Sequence, residues 1–518
     1  MSETMNAPAG PPSVATWAGF ALMCVGMFMA ILDVQVVATS LPTIQSALGV
    51  RPDQISWIQT AYLIAEVIAI PLTGFLTRWL SLRWLFVLGV SVFTLASAGC
   101  AAAASFEQLI ALRVVQGFSG GVLIPAVFSA VFLLFPMDRQ GLATTLAGVV
   151  AVLAPTVGPI VGGWVTETWG WRWLFLINIG PGVVVAVGTV LFLVRQPITA
   201  GLWRTLDLIA LALLATGLSA LEIALKDAPE RGWGSPLVVG LLALSGVSLA
   251  AFVRRSLGGR SPLLELRSLR DRNFAIGCLL SFVLGMGLFG SVYLMPVFLG
   301  FVRGHHALRI GEIMLVTGVA QLLTAPLAVA LERRMDARVL VGFGFALFGV
   351  GLAMSAGQTG DTDFTEMIVP QVVRGVAIMF CLLPPTRMAL GRLSEAQIPD
   401  ASALFNLMRN LGGALGLALI DTVIFSRSAI YGAAIEAQLR AGDVATAVGI
   451  GIPRDAFLEQ LGQPPDEFTE EMVRPLVEKA ALVDAINDAW LLIGLATALA
   501  LALLLWVKRA DPHAHAGD

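Results

Sequence analysis

The feature that most limits what this chain can fold into is a run of apolar character, about 20 residues long, that recurs fourteen times. Such runs lie at roughly 17–41, 54–75, 84–104, 107–134, 141–165, 173–194, 206–225, 236–253, 275–299, 311–331, 338–355, 366–390, 403–425 and 485–507, each long enough to cross about 30 Å of hydrocarbon as a helix. The runs are long and do not alternate, so a β-barrel is excluded. Charged residues make up 13% of the 518, against about 25% in an ordinary soluble domain. That depletion excludes a disordered chain and a water-soluble enzyme. The net charge of −3 leaves no basic excess to hold a nucleic-acid backbone. The expected class is an all-α membrane protein with fourteen transmembrane helices.

Lys and Arg are distributed unevenly about these spans. Eighteen of the 32 fall on one side, including Arg78, Arg83, Arg139, Arg254, Arg255, Arg387 and Arg392, and six fall on the other outside the final loop. The positive-inside rule makes the richer side cytoplasmic, and an even span count puts both termini there. The first span exceeds the core of a cleavable signal, and residues 1–16 hold no Lys or Arg, so no processing is expected. The expected organisation is a tail (1–16), a six-helix bundle (17–194), a linker with two extra spans (195–260), an amphipathic interfacial helix (261–274), a second six-helix bundle (275–507) and a tail (508–518). The loop at 427–484 is the one long connection. It carries 10 acidic and 5 basic residues and reads as a partly helical extracytoplasmic segment, either a spacer or a docking surface.

The division into bundles rests on an internal repeat. PLTGFLTRWLSLRWL (71–85) aligns without gaps to PLAVALERRMDARVL (326–340), pairing Pro71 with Pro326, Arg78 with Arg333 and Arg83 with Arg338. RVVQG (113–117) aligns to QVVRG (371–375), with Arg and Gln exchanged one helical turn apart. Two matches at nearly one offset indicate duplicated halves, the architecture of secondary transporters.

An ionisable side chain at the bilayer centre costs about 2.5–3.5 kcal/mol on insertion scales and is therefore a functional candidate. The candidates are Asp33, Glu66, Arg113, Arg374 and Arg409, with Glu222 and Asp421 ranked lower because they lie nearer span ends. At about 1.5 Å per residue Asp33 and Arg113 lie roughly 12 and 9 Å from the outer surface, in one layer, and Glu66 lies roughly 18 Å deep without an evident partner. Burial without a partner disfavours a charged carboxyl, which makes Glu66 a proton-carrier candidate. Charges that merely fasten helices together are the alternative for all of them. Arg113, Gln116, Gly117, Gly120 and Ile124 share one helix face, leaving space for a cavity or for a neighbouring backbone. Ala147, Ala151, Pro155, Gly158 and Gly162 form a second stripe of small residues, which serves packing or gating.

Other chemistry is missing. The sequence has no P-loop, dinucleotide fingerprint, HExxH or nucleophile elbow, so energy has to come from an ion gradient. Cys24, Cys100, Cys278 and Cys381 each stand alone in an apolar run, and the adjacent His305 and His306 cannot face one metal from a helix. Neither a metal nor a cofactor is expected.

These segments resemble the major facilitator superfamily, specifically its fourteen-span drug:proton antiporters of the EmrB/QacA type, over nearly the whole chain. GFLTRWLSLRWLF (74–86), with Gly74, Arg78 and Arg83, resembles the loop motif between spans 2 and 3. LRVVQGFSGGVLIP (112–125) resembles the span-4 arginine motif, and LDVQVVATSLPTI (32–44) the span-1 motif around Asp33. APTVGPIVGGW (154–164), with Pro155, Gly158, Pro159, Gly162 and Gly163, resembles the span-5 motif that accompanies export. WRWLFLINIGPG (171–182), PLLELRSLRDRNF (262–274) and SALFNLMRNLGGALG (402–416) also read like family segments. The loop motif commonly has an acid where this chain has Thr77, so an Asp-dependent lock does not carry over to that position. The resemblance implies two halves rocking about a central site to export small amphiphiles against protons from the inner membrane. Asp33 and/or Glu66 would carry the protons, Glu66 on the depth argument alone because it is not a fixture of the family, Arg113 would tune them, and the 158–163 glycines would allow tight packing between the halves. A periplasmic adaptor and outer-membrane channel are further implied partners. An uptake symporter of the same fold and a non-transporting sensor or assembly subunit are the alternatives.

Overall fold

The computed structural model describes residues 12–49, 57–195, 197–199, 201–258, 263–332, 334–391, 393–460 and 467–507. Both expected tails fall almost wholly outside them, as does Arg333, the repeat partner of Arg78. The described residues form helices and no strand. In hydrocarbon a backbone has to bond to itself, and a helix does so within one segment.

The first half comprises α1 (Val14–Thr39), α2 (Leu41–Leu48), α3 (Trp57–Ala102), α4 (Phe106–Gly121), α5 (Leu123–Leu134), α6 (Met137–Trp169), α7 (Trp173–Leu176) and α8 (Ile179–Phe192). The linker is α9 (Leu208–Arg231) and α10 (Pro236–Gly258), which pack on each other. The second half comprises α11 (Arg272–Val297), α12 (Ala307–Glu332), α13 (Ala337–Met354), α14 (Phe364–Leu390), α15 (Ile398–Arg440), α16 (Val444–Gly449), α17 (Arg454–Gln460) and α18 (Glu467–Leu499). Polar caps set many of the starts. Ser105 accepts from the Gln108 amide, Asp207 from Ile209 and Ala210, and Asp363 forms a capping box with Glu366.

Among the described residues twelve helices are long and apolar enough to cross a membrane, and α6, bent by 44° between Pro155 and Val157, is a thirteenth if its two segments count as one span. The expected fourteen is not reproduced helix by helix. The difference lies in α3, whose 46 residues merge two expected spans. They are divided at Ser81, where φ 69° and ψ 158° leave the helical region. Ser81 is the one non-glycine residue with positive φ among the described residues, and it stands in the middle of the loop motif, where the chain turns between spans.

One further expectation is corrected. Among the described residues 263–271 there is no interfacial helix, only a single 3-10 turn, Leu266–Arg270, and the Asp271 side chain then caps α11. Leu263 and Leu264 are buried in the protein core instead of lying on lipid. The segment 427–484 holds helical residues along much of its described length. Helix α15 continues fifteen residues past 425 and α18 begins at Glu467, so the two extend as packed helices beyond the apolar core. Arg427 and the Tyr431 hydroxyl both reach the Asp488 carboxylate across them, at 3.1 and 2.9 Å.

The halves touch near both ends. Ile160 of α6 packs on Gly311 of α12 at one end, and at the basic end the Ser402 hydroxyl donates to the Pro125 carbonyl at 3.0 Å.

Candidate functional site

Three groups of polar side chains are enclosed by apolar helices. In the first half, Asp33 of α1 forms an ion pair with Arg113 of α4, and neither side chain is exposed. Gln116 and Asn178 each donate to the other Asp33 oxygen at 2.9 Å, and Gln116 also reaches the Ser97 hydroxyl at 2.7 Å. Arg113 donates in addition to Gln116 Oε1 and to the Ile58 carbonyl, and its guanidinium lies 4.3 Å from the Tyr62 ring centre. One carboxylate is thus sealed from solvent and held by donors on α4 and at the start of α8. Asn178 and Ser97 are not among the expected site residues; a lone amide inside the apolar run WRWLFLINIGPG is the signal that points to the first of them.

The small-residue face of α4 admits backbone, not a cavity. A Cβ at Gly117 would sit 2.2 Å from the Tyr62 carbonyl oxygen, and one at Gly121 would sit 2.6 Å from that of Glu66. This approach draws α3 onto α4 and places Arg113 over Tyr62. Glu66 takes no part in the Asp33 cluster's hydrogen bonds. It is buried, 7% exposed, on the same helix as Tyr62, and that helix packs on the linker helix α9, which carries Glu222.

The second group lies at the basic end and joins the halves. Arg78, at the end of the first segment of α3, forms an ion pair with Asp400 in the first turn of α15. Asp400 is 1% exposed. Gly74 sits one turn before Arg78, and a Cβ there would fall 1.8 Å from Asp400 Oδ1. The loop motif therefore reaches an acid after all, but one supplied by the other half instead of position 77. Arg83 turns away and donates to the Val190 carbonyl of α8, within its own half. Below Gly141 of α6, Arg387 pairs with Glu332 at 3.1 Å.

The third group lies in the second half. Arg374 of α14 is buried, lies 4.7 Å from the Trp490 ring centre and donates to the Met295 sulfur at 3.4 Å. Its Nε and Nη1 are without a partner. Arg409 of α15 lies against Phe405 and, across the interface, Phe128 of α5, at 5.5 and 5.4 Å. Among the described residues no hydrogen bond or ion pair joins Arg374 or Arg409 to Asp33 or Glu66.

The span-5 motif departs from its expected role at one position. Gly158 packs against Gln35 of α1, inside its own half, and the contact with the other half is made by Ile160. Pro155 and Pro159 flank the bend of α6, and Gly162 is buried. Gly163 is half-buried.

His305 sits 3.1 Å from an Asp363 oxygen, and Arg303 meets the same carboxylate at 3.0 Å. All four cysteines are free and buried. No group of three or more His, Cys, Asp or Glu suited to a metal occurs among the described residues.

Comparison with known proteins agrees with this arrangement. The family model described as Major Facilitator Superfamily matches residues 23–417. The chain is 37% identical over 433 residues to the colistin resistance protein EmrB of Acinetobacter baumannii, covering 82% of this chain and 83% of the relative. It is 28% identical over 484 residues to the multidrug export protein EmrB of Escherichia coli K12, covering 93% of each. Among solved structures, the human organic anion transporter MFSD10 (TETRAN) superposes with a TM-score of 0.57 at 15% identity, over 93% of this chain and 99% of that one, a likeness of fold. By the extent of these matches and its many membrane-length apolar helices, the chain is a multi-pass membrane protein that belongs to the Major Facilitator Superfamily.

Proposed function

We propose that the protein is a proton-coupled exporter of small amphiphilic compounds, working by alternating access in the bacterial inner membrane with both termini in the cytoplasm. The observation that carries this reading is the fully enclosed Asp33–Arg113 pair. A proton delivered to Asp33 removes the charge that holds Arg113, Gln116 and Asn178, and so changes what binds α1, α4 and α8 together. Arg78 with Asp400 closes the cytoplasmic end, and its separation opens that end to substrate. Glu66 supplies a second buried carboxyl in the first half. The relatives named for colistin resistance and multidrug export support a drug-like substrate and outward flux. Assembly with a periplasmic adaptor and an outer-membrane channel belongs to the same proposal, and the extended α15 and α18 offer a contact surface for it.

The test is reconstitution into liposomes with a panel of dyes and an imposed pH step. Efflux driven by the gradient and lost in Asp33→Asn and Glu66→Gln supports the reading. Full gradient-driven efflux in both variants overturns it, and gradient-driven uptake reverses the assigned direction.

A further inference from the structure

The exchange of Arg and Gln between the two halves has a chemical consequence. In the first half the buried arginine faces a carboxylate. In the second half Arg374 occupies the other position of the pair, and the span facing it, α11, offers the sulfur of Met295. Among the described residues no carboxylate pairs with Arg374.

A buried cation without a counter-charge is costly, and the cost falls once an anion arrives. Beside Arg374 lies a small cavity between α11, α12 and α14, with room for about one water molecule. Its polar wall is Ser291, Thr317, Gln371 and Arg374. The Thr317 hydroxyl donates to Gln371 Oε1 at 3.1 Å, which leaves the Gln371 Nε2 group unpartnered. Three buried groups on this wall therefore lack partners, namely Arg374 Nε, Arg374 Nη1 and Gln371 Nε2, and every one is a hydrogen-bond donor. What the cavity lacks is an acceptor that carries negative charge. The rest of the wall is Leu288, Val292, Met295, Met314 and Ile378, apolar and with two flexible methionines that can yield to a hydrophobic body. At about 1.5 Å per residue Arg374 lies roughly 15 Å along α14 from Phe364, near mid-membrane depth.

We infer that Arg374 and Gln371 form a binding site for the carboxylate of an amphiphilic organic acid, whose apolar part lies against α11 and α12. The inference rests on the exporter reading only in taking that acid to be a transported compound. The carboxylate would accept from Arg374 Nε and Nη1 and from Gln371 Nε2, the three donors now idle. A cationic amphiphile would meet only repulsion there.

The experiment is binding, without a gradient, to the purified full-length chain in detergent. The probes are benzoate, benzyl alcohol and benzylammonium, which share a ring and differ in charge, read by calorimetry and by the shift in thermal unfolding. Benzoate should bind and stabilise while the other two do not. Arg374→Gln should weaken benzoate binding about tenfold or more, the loss of a charge-assisted hydrogen bond, with Arg374→Lys losing less. Gln371→Leu, which keeps the cation, should weaken it by a smaller factor and guards against a failure of Arg374→Gln to fold. Equal binding of the three probes, or benzoate binding unchanged in Arg374→Gln and Gln371→Leu, overturns the inference. So does an Arg374-dependent shift given fully by sodium chloride against sodium gluconate, with no further effect of benzoate, since the occupant is then an inorganic anion. Benzoate binding in a protein that moves no dye under a pH step would keep this site and reject the exporter. Gradient-driven dye efflux without Arg374-dependent binding would do the reverse.

Discussion

Arg78 and Asp400, 322 residues apart in sequence, form an ion pair across the two halves at the end of the molecule where basic residues collect. Arg78 remains a third exposed and Asp400 is sealed, so the pair sits at the boundary between water and packed protein. Such a contact suits a latch, because water can solvate Arg78 once it lets go, while Asp400 becomes reachable only when the halves part.

Asp400→Asn should therefore loosen the basic end while leaving each half folded. Removing one partner of a fully buried pair costs about 3–5 kcal/mol, and the exposure of Arg78 brings the expected figure down to roughly 1–3 kcal/mol. The measurement is labelling by a membrane-impermeant thiol reagent of a cysteine placed at Pro125 or Ser402, whose direct contact closes the same end. Faster labelling in Asp400→Asn supports the latch, and an unchanged rate removes it.

Gly74 makes a sharper demand. Its missing side chain is what lets Asp400 approach, since a Cβ would overlap Asp400 Oδ1 at 1.8 Å. Gly74→Ala, a single methyl with every charge in place, should raise labelling as Asp400→Asn does. Should Gly74→Ala label at the wild-type rate while Asp400→Asn labels faster, the approach of α15 is not what the glycine permits.

For Asp33 the prediction separates holding from working. Asp33→Asn keeps the shape of the side chain and leaves Arg113 buried without its counter-charge, at an expected cost of roughly 3–5 kcal/mol. Adding Arg113→Leu removes the stranded cation and should return much of the lost thermal stability. Gradient-driven efflux should stay absent in the double variant. Recovery of efflux along with stability would mean that the pair only fastens α1 to α4.

Much of this arrangement is legible in the residues alone. Long apolar runs can only be helices in lipid, so the class and most of the spans follow from hydropathy. Depth counted from span ends puts Asp33 and Arg113 in one layer, and they meet. Other features depend on which helices become neighbours, which no single run reveals. Asp400 reads as an ordinary acid in a first helical turn, and only the packing of α15 on α3 brings it to Arg78. That the linker helix α9, with Glu222, packs on α3, with Glu66, is likewise a tertiary fact. The segment before α11 imitates an amphipathic helix through its alternation of Leu and Arg, yet its leucines are taken up by the core.

At the opposite end, Asp363 caps α14 and meets His305 and Arg303. Burial pulls its carboxyl upward, but hydrogen bonds from His305, the Phe364 amide and Arg303 outweigh that and hold its pKa at about 2. A depressed value in the folded state means that the contribution is complete above the ordinary 3.8 and is lost as the pH falls toward 2. Asp363→Ala should cost about 1 kcal/mol, the usual value of a cap, at pH 6. The gap between wild type and variant in thermal unfolding should narrow between pH 4 and pH 2, roughly the range over which such a group titrates. A gap of constant size across that range would show that the charge of Asp363 contributes nothing.

Glu66 and Glu222 yield the last prediction, because each is an acid on one of two helices, α3 of the first bundle and α9 of the linker, that pack together. Two like charges offer no attraction as a fastener, so the two acids are expected to act as one proton-handling unit. Glu66→Gln and Glu222→Gln should each lower gradient-driven efflux, and the double variant should fall little further than the stronger single one. Groups that act independently would instead multiply their losses. Efflux as a function of external pH, measured in all four proteins, decides between these outcomes. If Glu222→Gln behaves as wild type throughout while Glu66→Gln is impaired, the linker helix has no part in coupling and Glu66 works alone.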